Sequence, residues 1–213
     1  MEELLQQLVK YIRKHNEKLI IGISGHGASG KTTFATKLME LLEQDVTYMN
    51  TDPYIDTTIR KYSKIEYEYE GESYLYKMTA CHPGAHHTLA LARDITMLRD
   101  GLDMYTIGTH YRESELISAS RNVIIIEGMS VAFVDPSLFD LKIFLYTDGD
   151  TEFSRRTVRD VEERGANISF LNDSHKQRRI QYELFMHHYH ENFDIVVNNS
   201  NDGFKIERNS LSI

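Results

Sequence analysis

The stretch "GISGHGASGKTTFA", residues 22–35, follows the apolar run "LIIGI" of residues 19–23 and opens a helix-like stripe. Three glycines, Gly25, Gly27 and Gly30, fall within six residues, and each costs backbone entropy wherever it is ordered. The spacing Gly25-x-x-x-x-Gly30-Lys31-Thr32 gives them a purpose. A loop of this kind wraps its N–H groups around a phosphate, with the positive end of the following helix behind them. Lys31 supplies a point charge for the β- and γ-phosphates, and Thr32 offers a hydroxyl to Mg²⁺.

Outward from the loop, "KLIIGIS" is too short and β-branched for a helix and apolar on both faces, which predicts a buried parallel strand. "DVTYMN", "NVIIIEG", "LKIFLYTD" and "FDIVVNN" read the same way. Helical spacing is found over residues 2–16, from Lys31 to about Gln44, and over 85–99, 150–164 and 173–190. Residues 57–80 are polar and tyrosine-rich and carry no clear assignment, and the tail after residue 199 has no pattern. Alternating strands and helices predict an α/β fold, a doubly wound parallel sheet with helices on both faces. In such sheets ligands bind beyond the carboxyl ends of the strands. The length of 213 residues fits a single domain, with an N-terminal helix over 1–17 and a helical lid over about 150–175.

Composition narrows the function classes. A net charge of −8 argues against a nucleic-acid partner held through phosphates. Cys81 is the only cysteine, which leaves no intramolecular disulfide, and no apolar run approaches the roughly 18 residues of a membrane helix. These features predict a cytoplasmic protein with neither membrane nor nucleic-acid partner, and a homo-oligomer is compatible with them.

Two carboxylates stand at predicted strand ends. Asp52 follows "DVTYMN", and Glu127 closes "NVIIIE". One could take the proton of an attacking hydroxyl, and either could hold Mg²⁺. Asp52 alone reads equally as an Asp-Pro turn residue. Glu127 ends a buried apolar run, so it needs a partner. Arg155, Arg156, Arg159 and Arg164 fall within ten residues. They suit either a solvated surface helix or a lid that neutralises a transferring phosphoryl group.

"GHGASGKTT" (25–33), "TDPY" (51–54), "HPGAHH" (82–87), "IIIEG" (124–128), "RRTVRDVEERG" (155–165) and "FDIVVNN" (193–199) occur in one order along the chain. That ordered set resembles the uridine kinase and phosphoribulokinase-like P-loop kinases, over roughly residues 18–199. The resemblance implies a P-loop NTPase-type fold and transfer of phosphate from ATP, or GTP, with Mg²⁺, to a hydroxyl of a small molecule, first of all a nucleoside. It assigns the nucleotide to Gly25, His26, Gly27, Ala28, Ser29, Gly30, Lys31, Thr32 and Thr33 with Arg155, Arg159 and Arg164. Asp52 matches the catalytic base that activates the 5′-hydroxyl, with Lys31 and Arg159 also catalytic. Asp52, Tyr54, His82 and Arg156 would meet the acceptor, and Thr32, Asp52 and Glu127 the metal.

The chain departs from the pattern on the acceptor side. Cys81 stands where these kinases carry Asp before the histidine, and Gly84 and His86 replace Asp and Phe within the motif. Ala166 replaces an arginine that reaches the substrate, and "YTIGTHYRE" (105–113) stands in the approximate place of a "PxYD" segment. The same chemistry on another hydroxyl compound, such as pantothenate or nicotinamide riboside, is the alternative, and a non-catalytic nucleotide binder is a second. A nucleotide switch would want "NKxD" after a late strand, and "NNSND" (198–202) does not supply it. His187, His188 and His190 read as surface or packing residues, because no set of ligands with metal spacing accompanies them. Tyr62, Tyr67, Tyr69, Tyr74 and Tyr76 fit a β-ribbon with one aromatic face.

Overall fold

The computed structural model describes residues 1–43, 45–158 and 168–211. In chain order its elements are α1 (Glu2–Arg13), β1 (Leu19–Ser24), α2 (Lys31–Leu41), β2 (Thr47–Asn50), α3 (Thr57–Tyr62), β3 (Lys64–Tyr69) and β4 (Glu72–Lys77). There follow α4 (Thr88–Arg99), β5 (Met104–Tyr105), β6 (Leu116–Ile117), β7 (Val123–Glu127), β8 (Leu141–Tyr146), α5 (Gly149–Thr157), α6 (Ile168–Phe185), β9 (Ile195–Ser200) and β10 (Gly203–Asn209).

Six strands form one sheet in the order β10-β9-β8-β1-β7-β2. The β1, β7, β2, β8 and β9 pairings are parallel, and β10 runs antiparallel to β9 at the edge. The strands alternate between two cores, as apolar strands covered on both faces must. Ile124, Ile126, Phe144 and Val196 face one cluster, with Leu91 and Ile95 of α4 and Tyr182 of α6. Ile125, Ile143, Leu145 and Val197 face the other, with Leu4, Leu5 and Leu8 of α1 and Phe34 and Leu38 of α2. The register then aligns the carboxyl ends: Glu127 of β7 lies beside Ile23 of β1 and Asn50 of β2.

Some boundaries differ from the periodicity. The helix expected to reach about Gln44 stops at Leu41, because Glu43 turns into the left-handed region at φ 57°. The patternless tail is the edge strand β10, so the sheet is mixed. The unassigned tyrosine-rich segment is α3 followed by the hairpin β3–β4. Asp56 caps α3 through the N–H groups of Thr58 and Ile59. The hairpin turns at Glu70 and Gly71, both at positive φ, as a two-residue connection demands. Tyr67 and Tyr74 stack across it, and the hydroxyls of Tyr67 and Tyr69 donate to Gln177 and Glu183 of α6. The helix expected over 173–190 ends at Phe185, and His187–Asn192 form a 3₁₀ turn in which His187 takes a hydrogen bond from the Tyr182 hydroxyl. Among the described residues no three His, Cys, Asp or Glu side chains converge as metal ligands.

Tyr54 corrects an expectation. Its side chain is completely buried in the core and its hydroxyl donates to Asp94 Oδ2 at 2.6 Å, so it cannot touch an acceptor. Tyr54→Phe should lower unfolding stability by about 1–3 kcal/mol, the cost of leaving the buried Asp94 oxygen without its donor, and leave acceptor KM unchanged. Urea unfolding and initial rates check both, and a raised KM would return Tyr54 to the site.

Two histidines hold backbone turns as neutral rings. His26 Nε2 accepts from the Thr147 N–H at 2.9 Å, which puts its proton on Nδ1 beside the Gly27 carbonyl. His86 Nε2 donates to the Ala80 carbonyl at 2.9 Å, while Nδ1 accepts from the Ser130 hydroxyl at 2.8 Å. Burial above all pushes each down from 6.5 to about 4. With the folded-state value below the unfolded one, the stabilisation is complete above pH 6.5 and is lost as pH falls toward 4. The loss should reach on the order of 2 kcal/mol per ring by pH 5. Urea unfolding between pH 7.5 and 5 measures it, and a stability that stays flat down to the carboxylate range near pH 4 would refute it.

Candidate active site

A cavity of about 1110 Å³ opens at the carboxyl edge of the sheet, lined by the phosphate-type loop, Asn50, Asp52, Arg60, Glu127, Arg155 and Arg156. The loop is shaped by steric necessity. Gly25 has φ 141°, and a Cβ there would lie 1.8 Å from the Leu145 carbonyl oxygen. Helix α2 then begins at Lys31 with no side chain capping its N-terminus, as an anion-binding helix end requires.

The loop carbonyls are held by side chains. Lys31 Nζ donates to the His26 carbonyl at 2.9 Å, and Asn199 Nδ2 to that of Ser29 at 2.9 Å. Arg155 bridges the Ala28 carbonyl at 3.3 Å and the Asn199 carbonyl at 2.9 Å. Lys31 is only 8% exposed; burial pushes its pKa down, and the nearby Glu127 and Asp52 carboxylates push it back up. His26 is fully buried and does not line the cavity.

Glu127 is 2% exposed, and its Oε2 accepts from the hydroxyls of Tyr48 at 2.8 Å and Thr32 at 3.2 Å and from Asn50 Nδ2 at 3.2 Å. No cation lies within ion-pair distance of it among the described residues. One hydroxyl and one carboxylate, both hard oxygen donors beside a phosphate loop, suit Mg²⁺, which takes one or two protein ligands and fills its shell with water and phosphate oxygens. Asp52 is exposed and lines the same cavity. Asn50 Oδ1 accepts from its N–H at 2.9 Å and the Tyr111 hydroxyl donates to its carbonyl at 3.0 Å, so the peptide is pinned while the carboxylate stays exposed.

Arg156 is buried, donates from Nε to Glu152 Oε1 at 2.7 Å, and stands over the loop: a Cβ on Gly27 would come within 2.3 Å of its guanidinium. Arg159 and Arg164 lie outside the described residues. Thr32 and Thr33 line the cavity, as do Gly27, Ala28, Gly30 and Lys31. His82 does not; its Nδ1 accepts from the Gly84 N–H at 3.0 Å, its ring packs edge-on against Phe185, and burial lowers its pKa. Cys81 and Ala80 reach the cavity from that motif instead.

Sequence reasoning passed over Tyr48, Asn50, Arg60, Tyr111, Arg178 and Asn199. Asn50 had a signal, because it ends a strand two residues before Asp52. Tyr111 lay within "YTIGTHYRE", flagged only as a departure, and nothing in the pattern distinguished Arg60 or Arg178.

The sequence profile of the Phosphoribulokinase / Uridine kinase family matches residues 20–203. The chain is 32% identical over 203 residues to a uridine kinase of Ligilactobacillus salivarius, covering 86% of each. It is 33% identical over 191 residues to uridine-cytidine kinase B of Dictyostelium discoideum, covering 84% of this chain and 72% of that one. Among solved structures, phosphoribulokinase from Rhodobacter spheroides superposes with a TM-score of 0.63 at 14% identity, over 87% of this chain and 71% of that one. D-glycerate 3-kinase from Cryptococcus neoformans gives 0.57 at 12% identity, over 95% and 96%. These two show a shared fold. With the profile spanning most of its length, the chain belongs to the phosphoribulokinase / uridine kinase family of P-loop kinases.

Proposed function

We propose that the protein transfers the γ-phosphoryl group of ATP, or GTP, to a hydroxyl of a small molecule in a Mg²⁺-dependent reaction. The observation that carries this reading is the convergence of the loop, Glu127 and Asp52 on one cavity. The loop N–H groups, the start of α2 and Lys31 hold the donor phosphates. Thr32 and Glu127 would hold Mg²⁺, which when bound neutralises charge on the β- and γ-phosphates. Asp52 takes the proton of the acceptor hydroxyl as its oxygen attacks the γ-phosphorus and the bond to the β-phosphate oxygen breaks. Arg155 and Arg156, and Arg159 and Arg164 beyond them, neutralise the transferring group and shield it from water. The protein would act as one cytoplasmic kinase domain on small molecules; no helix among the described residues is long and apolar enough to cross a membrane.

The named relatives put nucleosides first among acceptors. A specific observation favours a second reading, the same chemistry on a different hydroxyl compound. His86 stands where the resembling kinases carry Phe, and its ring is spent on the Ala80 carbonyl and the Ser130 hydroxyl. Together with Cys81, Gly84 and Ala166, this leaves the base-contacting half rebuilt, so uridine and cytidine should turn over slowly.

Asp52→Asn should lower kcat by roughly 10²–10⁴ with nucleotide affinity unchanged, because the carboxylate acts on the acceptor proton. Lys31→Ala should abolish transfer while the circular dichroism spectrum is retained. ADP release across a panel of nucleosides and vitamins with Mg-ATP is the assay. An Asp52→Asn enzyme with normal kcat would reduce Asp52 to a turn residue, and a fully active Lys31→Ala would remove the nucleotide assignment.

A further inference from the structure

The chain carries a net charge of −8, yet its cavity is lined by six basic residues, Lys31, Arg60, Arg112, Arg155, Arg156 and Arg178, against the acids Asp52 and Glu127. What each basic group already touches divides them. Lys31, Arg155 and Arg156 lie against the phosphate loop, and donor phosphates account for their charge. Arg112 is paired with Glu115 at 2.9 Å. Arg60 differs from all of these.

Arg60 lies on α3, which leaves the Asp52–Tyr54 turn and is held at its start by the Asp56 cap. At the other end of α3, the Ser63 N–H donates to the Ile59 carbonyl and the Ser63 carbonyl accepts from the Met78 N–H. Its backbone is therefore fixed on the acceptor side of the cleft. Its Nε is buried with no hydrogen-bond partner, and its guanidinium makes no ion pair with any described residue. Burial above all presses its pKa downward, and the charged and titratable groups that act on it include Cys81, Tyr111, Arg156, Asp52, Lys77 and His86. Asp52 thus shares the region without neutralising it.

A buried, unpartnered guanidinium nitrogen is costly, and native interiors leave few such groups. A neutral carbonyl would satisfy one N–H and leave the charge uncompensated. The planar fork of an arginine matches a carboxylate or a phosphate through two parallel hydrogen bonds.

We propose that the acceptor is a hydroxyl compound bearing an anionic group, a phosphate or a carboxylate, and that Arg60 holds this group while Asp52 faces the hydroxyl. The inference rests on the kinase reading of the cavity and narrows its acceptor class. In the reaction the γ-phosphorus forms a bond to the acceptor oxygen and loses its bond to the β-phosphate oxygen. The hydroxyl proton passes to the Asp52 carboxylate, and the products are the nucleoside diphosphate and a phosphate ester that keeps its original anion.

The test fills the donor site first, with AMP-PNP and Mg²⁺ at saturation, and then titrates inorganic phosphate or, separately, acetate by calorimetry. Wild type should bind at least one of the two titrants in this state, and which one binds separates phosphate from carboxylate. Arg60→Ala should weaken that binding by roughly tenfold or more, the size of a lost charge-assisted hydrogen bond, and Arg60→Lys should fall between. AMP-PNP affinity and the circular dichroism spectrum of the variants, expected to match wild type, show that the loop and fold are intact. Equal binding by wild type and Arg60→Ala, or binding of neither anion by wild type, overturns the proposal. Efficient uridine turnover that Arg60→Ala leaves untouched overturns it as well. A wild type that fails to bind AMP-PNP would instead take down the kinase reading on which it rests.

Discussion

Glu127 ends β7, beside the edge strand β2, and is 2% exposed, and a carboxylate in that position must be surrounded by donors. The donors come from two other elements, Thr32 from the first turn of α2 and Tyr48 and Asn50 from β2. One oxygen therefore ties the end of the edge strand β2 and the start of the loop helix to β7. The next residue continues the constraint. Gly128 sits at φ 147°, and a Cβ there would lie 2.0 Å from Thr51 Oγ1, so β2 and β7 can approach this closely only with glycine in place. Asp52 follows immediately, and its position at the cavity is a consequence of that approach.

A second network fixes the back of the loop. Glu152, on α5, is almost fully buried; it binds Arg156 through Oε1, and its Oε2 lies 3.4 Å from His26 Nδ1 and 3.7 Å from an Arg179 nitrogen. Arg179 in turn donates to the Thr147 carbonyl, and the Thr147 N–H donates to His26. The loop, the start of the α5 arginine run and α6 thus share one carboxylate. With its carbonyls occupied by Lys31, Arg155 and Asn199, the loop leaves its N–H groups available to a phosphate. Removing a member of this network would leave a buried charge unpaired, which costs more than the pair itself contributes.

The parts legible in the sequence are those governed by local rules. Strands apolar on both faces announce a covered parallel sheet, and "LIIGIS", "NVIIIE" and "LKIFLY" became β1, β7 and β8. The loop spacing carries its own steric logic, and a carboxylate closing an apolar run announces a need for partners. What stayed hidden depends on long-range pairing. The strand β10 has no apolar signature because it is the edge of the sheet, paired on one side only, to β9. The hairpin β3–β4 is held by tyrosine hydroxyls on α6, more than a hundred residues away in sequence. Arg60 looks like any surface arginine until burial and the absence of a partner are seen together. Tyr54 erred in the other direction, since a tyrosine next to a motif aspartate looks exposed while its ring fills the core.

The two halves of the cleft are built by different means. On the donor side Glu127, Asn50 and the loop glycines are set by strand register or by contacts only glycine permits. On the acceptor side, α3, the turn at Ala80–His82 and the segment around Tyr111 each carry a side-chain anchor. These are the Asp56 cap, the His86 ring between Ala80 and Ser130, and the Tyr111 hydroxyl on the Asp52 carbonyl. An anchor of that kind can be exchanged without moving a strand. On the proposed kinase reading, the phosphate chemistry would be held by the fold, and the choice of acceptor would rest on a few side chains that can change without moving a strand.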